Sequence, residues 1–340
     1  MSQFFDHIMS HYGWQGVALG GIILVLFFVQ LYYYLILYRR ISSYRNSRRK
    51  MRLESEPPIS IVVPIFSEDY DYLDERLPQI FAQDYEATFE VVLVYVGNDN
   101  DYFEELSRLR LSHPNLVVTK FDFNPRFPIS VKQAINLGIK SSHNEHIILS
   151  TPSAVPASQQ WLTMMGRAFM RGEIVLGYSA IKPAAGLGNY IMRMSNLQFS
   201  IYWLAQAVSK RAYRGIRHNI GFTKTLYFGV KGFTHLSLNI GEDDLFIYEH
   251  VPAKRITADI NANSVVRCTS GTLTWRNDKL SRLFIRTKMA GIRPLLFSAD
   301  TWTRTLLYVA VTASIVLGCI HHWWILVGAT ALLWSIYLGC

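Results

Sequence analysis

Apolar residues gather in long runs at both ends of the chain, and between those runs they form short segments separated by polar stretches. The run from Gly16 to Tyr38, GVALGGIILVLFFVQLYYYLILY, holds about 23 residues without a charge, enough for a helix to cross a hydrocarbon layer roughly 30 Å thick. Its length, the positive residues that follow it and the lack of a small-x-small site beyond it argue against a cleaved signal peptide. Near the other end, Thr305–Ile320 and Trp323–Leu338 are two apolar runs divided by His321 and His322, with Trp323 and Trp324 at the boundary. They predict a membrane hairpin. Each run is near the lower length limit, so a buried or re-entrant hairpin stands as the other reading.

Between these ends, Ile59–Ile65, Glu90–Val96, Leu116–Phe121 and His146–Ser150 are short apolar runs rich in β-branched residues, the pattern of buried strands. Helical patterns separate them at Tyr72–Phe81, from the polar turn Gly97–Asp101 through Leu111, and at Val131–Lys140. This alternation predicts an α/β fold, a mostly parallel sheet with helices on both faces. Its ligand site belongs at the carboxyl ends of the strands, after Ile65, Val96 and Ser150. Past Thr151 the pattern predicts a helix over Gln159–Met170, a strand over Gly172–Tyr178 and a long helix over Gly186–Arg214. That last helix mixes aromatic residues with Lys210, Arg211 and Arg214, which suits an interfacial or acceptor-lining helix, with an ordinary core helix as the alternative. A similar mix recurs over Lys279–Arg293.

Charge sharpens the topology. Arg39, Arg40, Arg45, Arg48, Arg49, Lys50 and Arg52 follow the first apolar run with no acid among them, which predicts that this side faces the cytoplasm. The chain carries a net charge of +9 from 34 basic and 25 acidic residues. Without those seven cations the excess is small, so the charge is a membrane-topology signal and nucleic-acid binding is not implied. Three scattered cysteines, Cys268, Cys319 and Cys340, exclude a disulfide framework. The organisation expected is a first segment 1–38 with its span at 16–38, a basic linker 39–56, a cytoplasmic domain 57–299 and a transmembrane hairpin 300–340.

The motif order of the central domain resembles the membrane-anchored bacterial family-two glycosyltransferases, inverting nucleotide-sugar enzymes with a GT-A fold. Val63-Pro64-Ile65-Phe66-Ser67-Glu68 is similar to the family's first-strand motif, and Ala82-Gln-Asp-Tyr85 to the segment after its first helix. Lys132-Gln-Ala-Ile-Asn136-Leu-Gly138 resembles the helix before the metal strand, one residue shorter between Lys and Ala. Asn219-Ile-Gly221, Gly232-Phe and Gly241-Glu242-Asp243-Asp244 resemble the acceptor-side block. The resemblance implies donor contacts at Pro64, Ser67, Glu68, Lys132, Asn136, Thr151 and Ser153. It implies acceptor contacts at Asn219, Gly221, Gly241, Trp275, Arg276 and Lys279. Asp243, flanked by Glu242 and Asp244, would be the base that takes the acceptor's proton; helix capping is the plainer account of the same acids.

Two departures matter. The turn after the second strand reads Tyr95-Val96-Gly97, where the family carries Asp for the nucleotide base. The fourth strand ends in Thr151-Pro152-Ser153, where the family has Asp-x-Asp. The family usually employs Mn or Mg there to offset charge on the leaving diphosphate, so no metal ligand is assigned and the cofactor stays open. Lys132, Arg276, Lys279 or Arg282 would then offset that charge, or bind lipid headgroups instead. The resemblance thus implies an inner-membrane, multi-pass enzyme. Its partners would be a nucleotide-sugar donor, a lipid-linked or glycan acceptor, membrane lipids and other envelope-biosynthesis proteins. A catalytically silent scaffold of the same fold is the alternative, and a processive synthase is disfavoured because the Gln-x-x-Arg-Trp segment is missing.

Overall fold

The computed structural model describes residues 2–49, 56–122, 126, 130–233, 242–250, 252–269, 275–277, 279–280 and 293–339. Contacts divide the chain into a helical unit, Met1–Ser42 with Ala290–Cys340, and a sheet unit, Ser43–Met289.

In the helical unit α1 (Ser2–Tyr32) passes through a π-helical turn at Tyr33–Tyr38 into α2 (Arg39–Arg49). The basic stretch expected as a linker therefore continues the helix at least to Arg49. A helix already nucleated extends at little cost through good helix formers such as Arg. Two further helices belong to this unit, α10 (Arg293–Ile320) and α11 (Trp324–Gly339). Ser10–Tyr44 and Ala299–Ile320 are long and apolar enough to cross a membrane, whereas Trp324–Tyr337 is shorter. The unit's polarity is inverted relative to a water-soluble bundle. Val25, Phe28, Val309, Val316 and Leu332 are more than half exposed, while Gln30, Asp300, Arg304, Ser314 and Thr330 are buried. Tyr38 donates to Asp300 at 2.9 Å and accepts from Arg304 at 3.0 Å, and Arg304 also pairs with Asp300. Gln30 donates to Thr303 at 2.8 Å, so the buried polar groups partner one another.

The sheet unit is built on β1 (Ile59–Ile65), β2 (Phe89–Val96), β3 (Leu116–Phe121), β4 (His146–Leu149), β6 (Ile174–Leu176), β8 (Ile220–Thr223) and β9 (Ile256–Ala258). They lie in the order β3-β2-β1-β4-β8-β6-β9, and β8 alone runs antiparallel to its neighbours. A smaller sheet has the order β5-β10-β7, from Ala154–Pro156, Val266–Cys268 and Ser179–Ile181. Every residue of β1 is buried because both faces of this central strand are covered. Ile59, Ile61, Val63 and Ile65 face a core shared with α3 (Leu77–Phe81), α4 (Asn100–Ser112) and α6 (Trp161–Phe169). The alternate residue Val62 faces α5 (Val131–Ser141), where a Cβ on Gly138 would lie 2.4 Å from the Val62 side chain. The α5 start is fixed by a capping box between Ser130 and Gln133.

The predicted long helix stops earlier than its composition suggests. α7 (Leu187–Val208) closes with Lys210 at φ +61°, whose N–H reaches the Ala207 carbonyl while Arg211 N–H reaches Gln206. This is a Schellman stop with lysine in the position glycine usually takes, and it frees residues 211–216 to run on as an irregular segment. The chain continues through α8 (Lys224–Gly229) and α9 (Glu242–His250).

At the amino ends of β1 and β2, the Glu90 carboxylate accepts from Ser60 Oγ at 2.5 Å and His143 N–H at 2.6 Å, and pairs with His143 Nδ1 at 2.7 Å. Burial pushes the Glu90 carboxyl up, but these hydrogen bonds outweigh it and hold the pKa below the ordinary 4.5. Such a group stabilises the fold fully above the unfolded value and loses that contribution as pH falls through the folded one. Replacing Glu90 by Gln should therefore lower stability by about 1–3 kcal/mol at pH 7. Thermal unfolding across pH should show the gap to wild type closing below pH 4.5.

Candidate active site

Strands β2 and β3 follow β1 on one side, and β4 lies on the other, so the order reverses between β1 and β4. In an open α/β sheet this is where a crevice opens outside the carboxyl ends. The β1–β4 ladder ends at Val62 and Leu149, with Ser150 N–H still bonded to Val62 O at 3.0 Å. Pro64 comes two residues later, where its missing N–H would point toward β4 beyond the last rung and costs no ladder bond. At this end of the sheet the exposed run Phe66-Ser67-Glu68 follows β1, and the half-buried turn Thr151-Pro152-Ser153 follows β4. Arg76 ties them together. Its guanidinium donates to Asp69 Oδ1 at 2.5 Å and to the Pro152 carbonyl at 2.9 Å.

At the end of β2 the Tyr95 hydroxyl donates to Glu68 Oε1 at 2.6 Å and accepts from Asp99 N–H at 3.3 Å. Burial, reinforced by the Glu68 bond, pushes the Tyr95 phenol well above its usual value, so it stays a neutral donor. Tyr95 thus spends its polar atom on holding Glu68.

The opposite wall is set by register. Leu149 pairs with Ile220 in the antiparallel β4–β8 ladder, and continuing that pairing for two residues brings Thr151 opposite His218. Thr151 Oγ1 lies 2.7 Å from His218 Nδ1 and 3.1 Å from Ser153 Oγ. The preceding residue, Arg217, donates its backbone N–H to Asp243 Oδ2 at 3.2 Å, and its guanidinium stands 3.5 Å from Asp243 Oδ1. Asp244 accepts from Gly215 N–H at 3.3 Å. Both aspartates are buried. The short segment before β8 therefore links the α9 acids to the Thr151–Ser153 turn. Arg76, Arg217 and His218 are not among the residues expected from sequence. The strand register that brings Thr151 and His218 together is not visible in the linear order.

Several expected contacts are placed elsewhere. Asn219 is fully buried: its Oδ1 accepts from Trp161 Nε1 at 3.0 Å, and its Nδ2 donates to the carbonyls of Tyr178 and Ser264 at 2.9 and 2.8 Å. It joins the walls of the site and has no face turned to a ligand. Gly221 lies within β8, where a Cβ would meet the Phe169 ring at 2.5 Å, so its need is packing. Lys279 Nζ sits 4.4 Å over the Trp275 ring and donates to Ser195 of α7 at 2.5 Å, while Arg276 is exposed. Burial, with the nearby Arg214 charge, lowers the Lys279 pKa. Lys132 is buried in the first turn of α5, and Asn136 is one turn further along. As a crossover helix, α5 runs back against the strands, which puts Lys132 at the crevice end of the sheet. Gly241, the Glu242 side chain, Arg282 and most of Lys279–Arg293 lie outside the described residues.

The chain is similar in structure to the mannosyltransferase PcManGT from Pyrobaculum calidifontis, solved with GDP-Man and Mn2+. The TM-score is 0.56 with 17% identity, covering 94% of each chain. TarS residues 1–349 from S. aureus match with a TM-score of 0.45 and 15% identity over 68% of this chain and 64% of that one. The same fragment with UDP-GlcNAc matches at 0.45 and 14% over 68% and 66%. No family model matches the sequence, and no curated protein does. At this identity, the likeness to the mannosyltransferase is one of fold.

The buried role of Asn219 is checked by Asn219→Ala. Trp161 Nε1–H and two carbonyls then lose their partner, and stability should fall by about 2–4 kcal/mol. Denaturant unfolding reads this, and a variant of unchanged stability would return Asn219 to a ligand-facing role.

Proposed function

We propose that the protein is a membrane-anchored inverting glycosyltransferase of the family-two kind, moving a sugar from a nucleotide-sugar donor to a lipid-linked or polysaccharide acceptor. The observation that carries this reading is the coupling of a buried acid, Asp243, through Arg217 and His218 to the switch-point crevice of a sheet fold shared with a mannosyltransferase. The donor lies in the crevice between Ser67–Glu68 and Thr151–Ser153. Asp243 removes the acceptor's hydroxyl proton as that oxygen attacks the anomeric carbon from the side opposite the departing diphosphate. Arg217 holds the carboxylate in place by its backbone N–H and its guanidinium.

The bilayer placement is supported by the inverted polarity of the helical unit and by two helices of spanning length. The basic run from Arg39 favours the cytoplasmic face for the sheet unit, and α11 completes a third pass in this reading. On α7, Leu187, Tyr190, Ile191, Met194 and Leu197 fall on one helix face and are 41% to 73% exposed. Such an apolar stripe suits a lipid-bearing acceptor or the membrane interface. The donor sugar, base and acceptor are set by contacts that the fold does not specify.

A second reading, a catalytically silent scaffold in an envelope-polysaccharide assembly, is favoured by one observation: hydroxyls stand at Thr151 and Ser153 in place of carboxylates. Asp243→Asn separates the two. It keeps the shape of the side chain and removes the base, so transfer should fall about 10²- to 10⁴-fold. Nucleotide binding should stay near wild type, and stability should fall by about 1–3 kcal/mol, the loss of a buried charge facing Arg217, with the variant still folded. An Asp243→Asn protein that still supports full transfer in a radiolabelled-sugar assay contradicts the base assignment.

A further inference from the structure

On the β2 side of the crevice an exposed carboxylate is held by a fully buried ring. Tyr95 pairs with Ile65 at the end of the β1–β2 ladder, and its phenol reaches Glu68, three residues beyond Ile65. A Cβ on Gly97 would lie 2.3 Å from the Tyr95 hydroxyl, so the glycine leaves room for the ring. The Asp99 N–H, fixed where α4 begins, donates into the phenol oxygen at 3.3 Å, and the one phenol proton goes to Glu68 Oε1 at 2.6 Å. The direction of this bond is therefore set: Tyr95 gives and Glu68 receives. With Oε1 turned inward to the buried phenol, the outward oxygen of this exposed residue is Oε2, which makes no hydrogen bond or ion pair among the described residues.

The surroundings select what this carboxylate can meet. Partial burial and the carboxylates of Glu105, Asp99, Glu68 and Asp101 push the Tyr70 phenol up, so four acids gather beside it. A diphosphate is repelled from such a place, whereas an uncharged group with N–H donors is drawn to it. Nor do the residues of the crevice fit a divalent ion: Thr151 and Ser153 offer only hydroxyls, and among the described residues no three His, Cys, Asp or Glu side chains group so as to hold a metal. Phe66 and Tyr70 flank Glu68 in the chain with 43% and 47% of their surface exposed, and the Tyr70 ring stands edge-on to Tyr102 at 5.2 Å. Exposed rings give a planar group a surface to stack on.

We propose that Glu68, positioned by Tyr95, reads the base of the donor nucleotide and selects guanine. This rests on the glycosyltransferase reading above and names the base that reading leaves open. Of the four RNA bases guanine alone carries two N–H donors side by side, N1–H and the N2 amino group, and the two oxygens of a carboxylate match such a pair. Tyr95 takes one lone pair of Oε1, which leaves one there and two on Oε2. Adenine, cytosine and uracil each place an acceptor next to their donor, so one carboxylate oxygen would face a lone pair. The fixed phenol proton also determines what an amide does at this position: in Glu68→Gln the carbonyl accepts from Tyr95, and the amino group turns toward the guanine donors.

The test uses the full chain in detergent and calorimetric titration with GDP, IDP, ADP and UDP, which share ribose and diphosphate, in buffer containing Mn2+. GDP should bind about 10- to 100-fold tighter than ADP or UDP, the range expected for hydrogen bonds to a charged group, with IDP, which lacks the N2 amino group, in between. Glu68→Gln should remove this preference by weakening GDP while ADP stays near wild type. Tyr95→Phe, which keeps the ring and loses only the hydroxyl, should narrow the preference, a change that a merely structural role for Tyr95 does not produce. Wild-type protein that binds ADP or UDP as tightly as GDP overturns the inference and leaves the transferase reading standing, and this result needs no variant to fold. A GDP preference that survives Glu68→Gln overturns it as well. So does a loss in that variant equal for all four nucleotides, which would assign the carboxylate to the ribose they share. A folded wild-type chain that binds none of them overturns the transferase reading itself.

Discussion

A single antiparallel strand in an otherwise parallel sheet organises the site. Because β8 runs against β4, the chain entering β8 arrives where β1 and β4 end. A parallel strand in the same place would put its carboxyl end there and its entering segment at the far edge of the sheet. Continuing the ladder register brings His218 to Thr151, while its neighbours Arg217 and Asn219 meet Asp243 of α9 and Trp161 of α6. Shifting the register by one residue would turn each of these side chains to the other face. The Schellman stop at Lys210 belongs to the same device, since continued helix would carry residues 211–216 away from this approach.

The buried polar groups follow a consistent economy. Asn219 satisfies three partners and Glu90 collects donors from two segments. Each is a group whose removal leaves others unpaired in a low-dielectric interior, which is why these positions hold geometry better than apolar contacts would. The helical unit shows the same pairing with its polarity reversed. There the apolar side chains lie outside, and Tyr38, Asp300 and Arg304 bond to one another inside.

Much of the fold is legible in the sequence. Periodicity locates β1 to β4 and the helices between them because parallel strands covered on both faces read as continuous apolar runs, as Ile59–Ile65 does. The same logic puts the crevice after Ile65 and Ser150. What periodicity misses is set by tertiary geometry. A helix that ends on lysine rather than glycine gives no composition signal, so the pattern carries α7 past Val208. Asn219 and Gly221 belong to a motif that resembles an acceptor block, yet packing against Trp161 and Phe169 explains both. His218 stands next to Asn219 in the chain, but its pairing with Thr151, 67 residues away, exists only once β4 and β8 are in register.

The central claim is that the crevice between β1 and β4 is where a nucleotide-sugar binds. Photo-crosslinking of the intact protein with an azido nucleoside diphosphate sugar, followed by peptide mapping, tests it most directly. The account expects saturable labelling, competed by the unmodified nucleotide, on peptides containing Ser67–Asp69, Thr151–Ser153 or Arg217–His218. Saturable labelling confined to other peptides, or none at any concentration with folded protein, would contradict it.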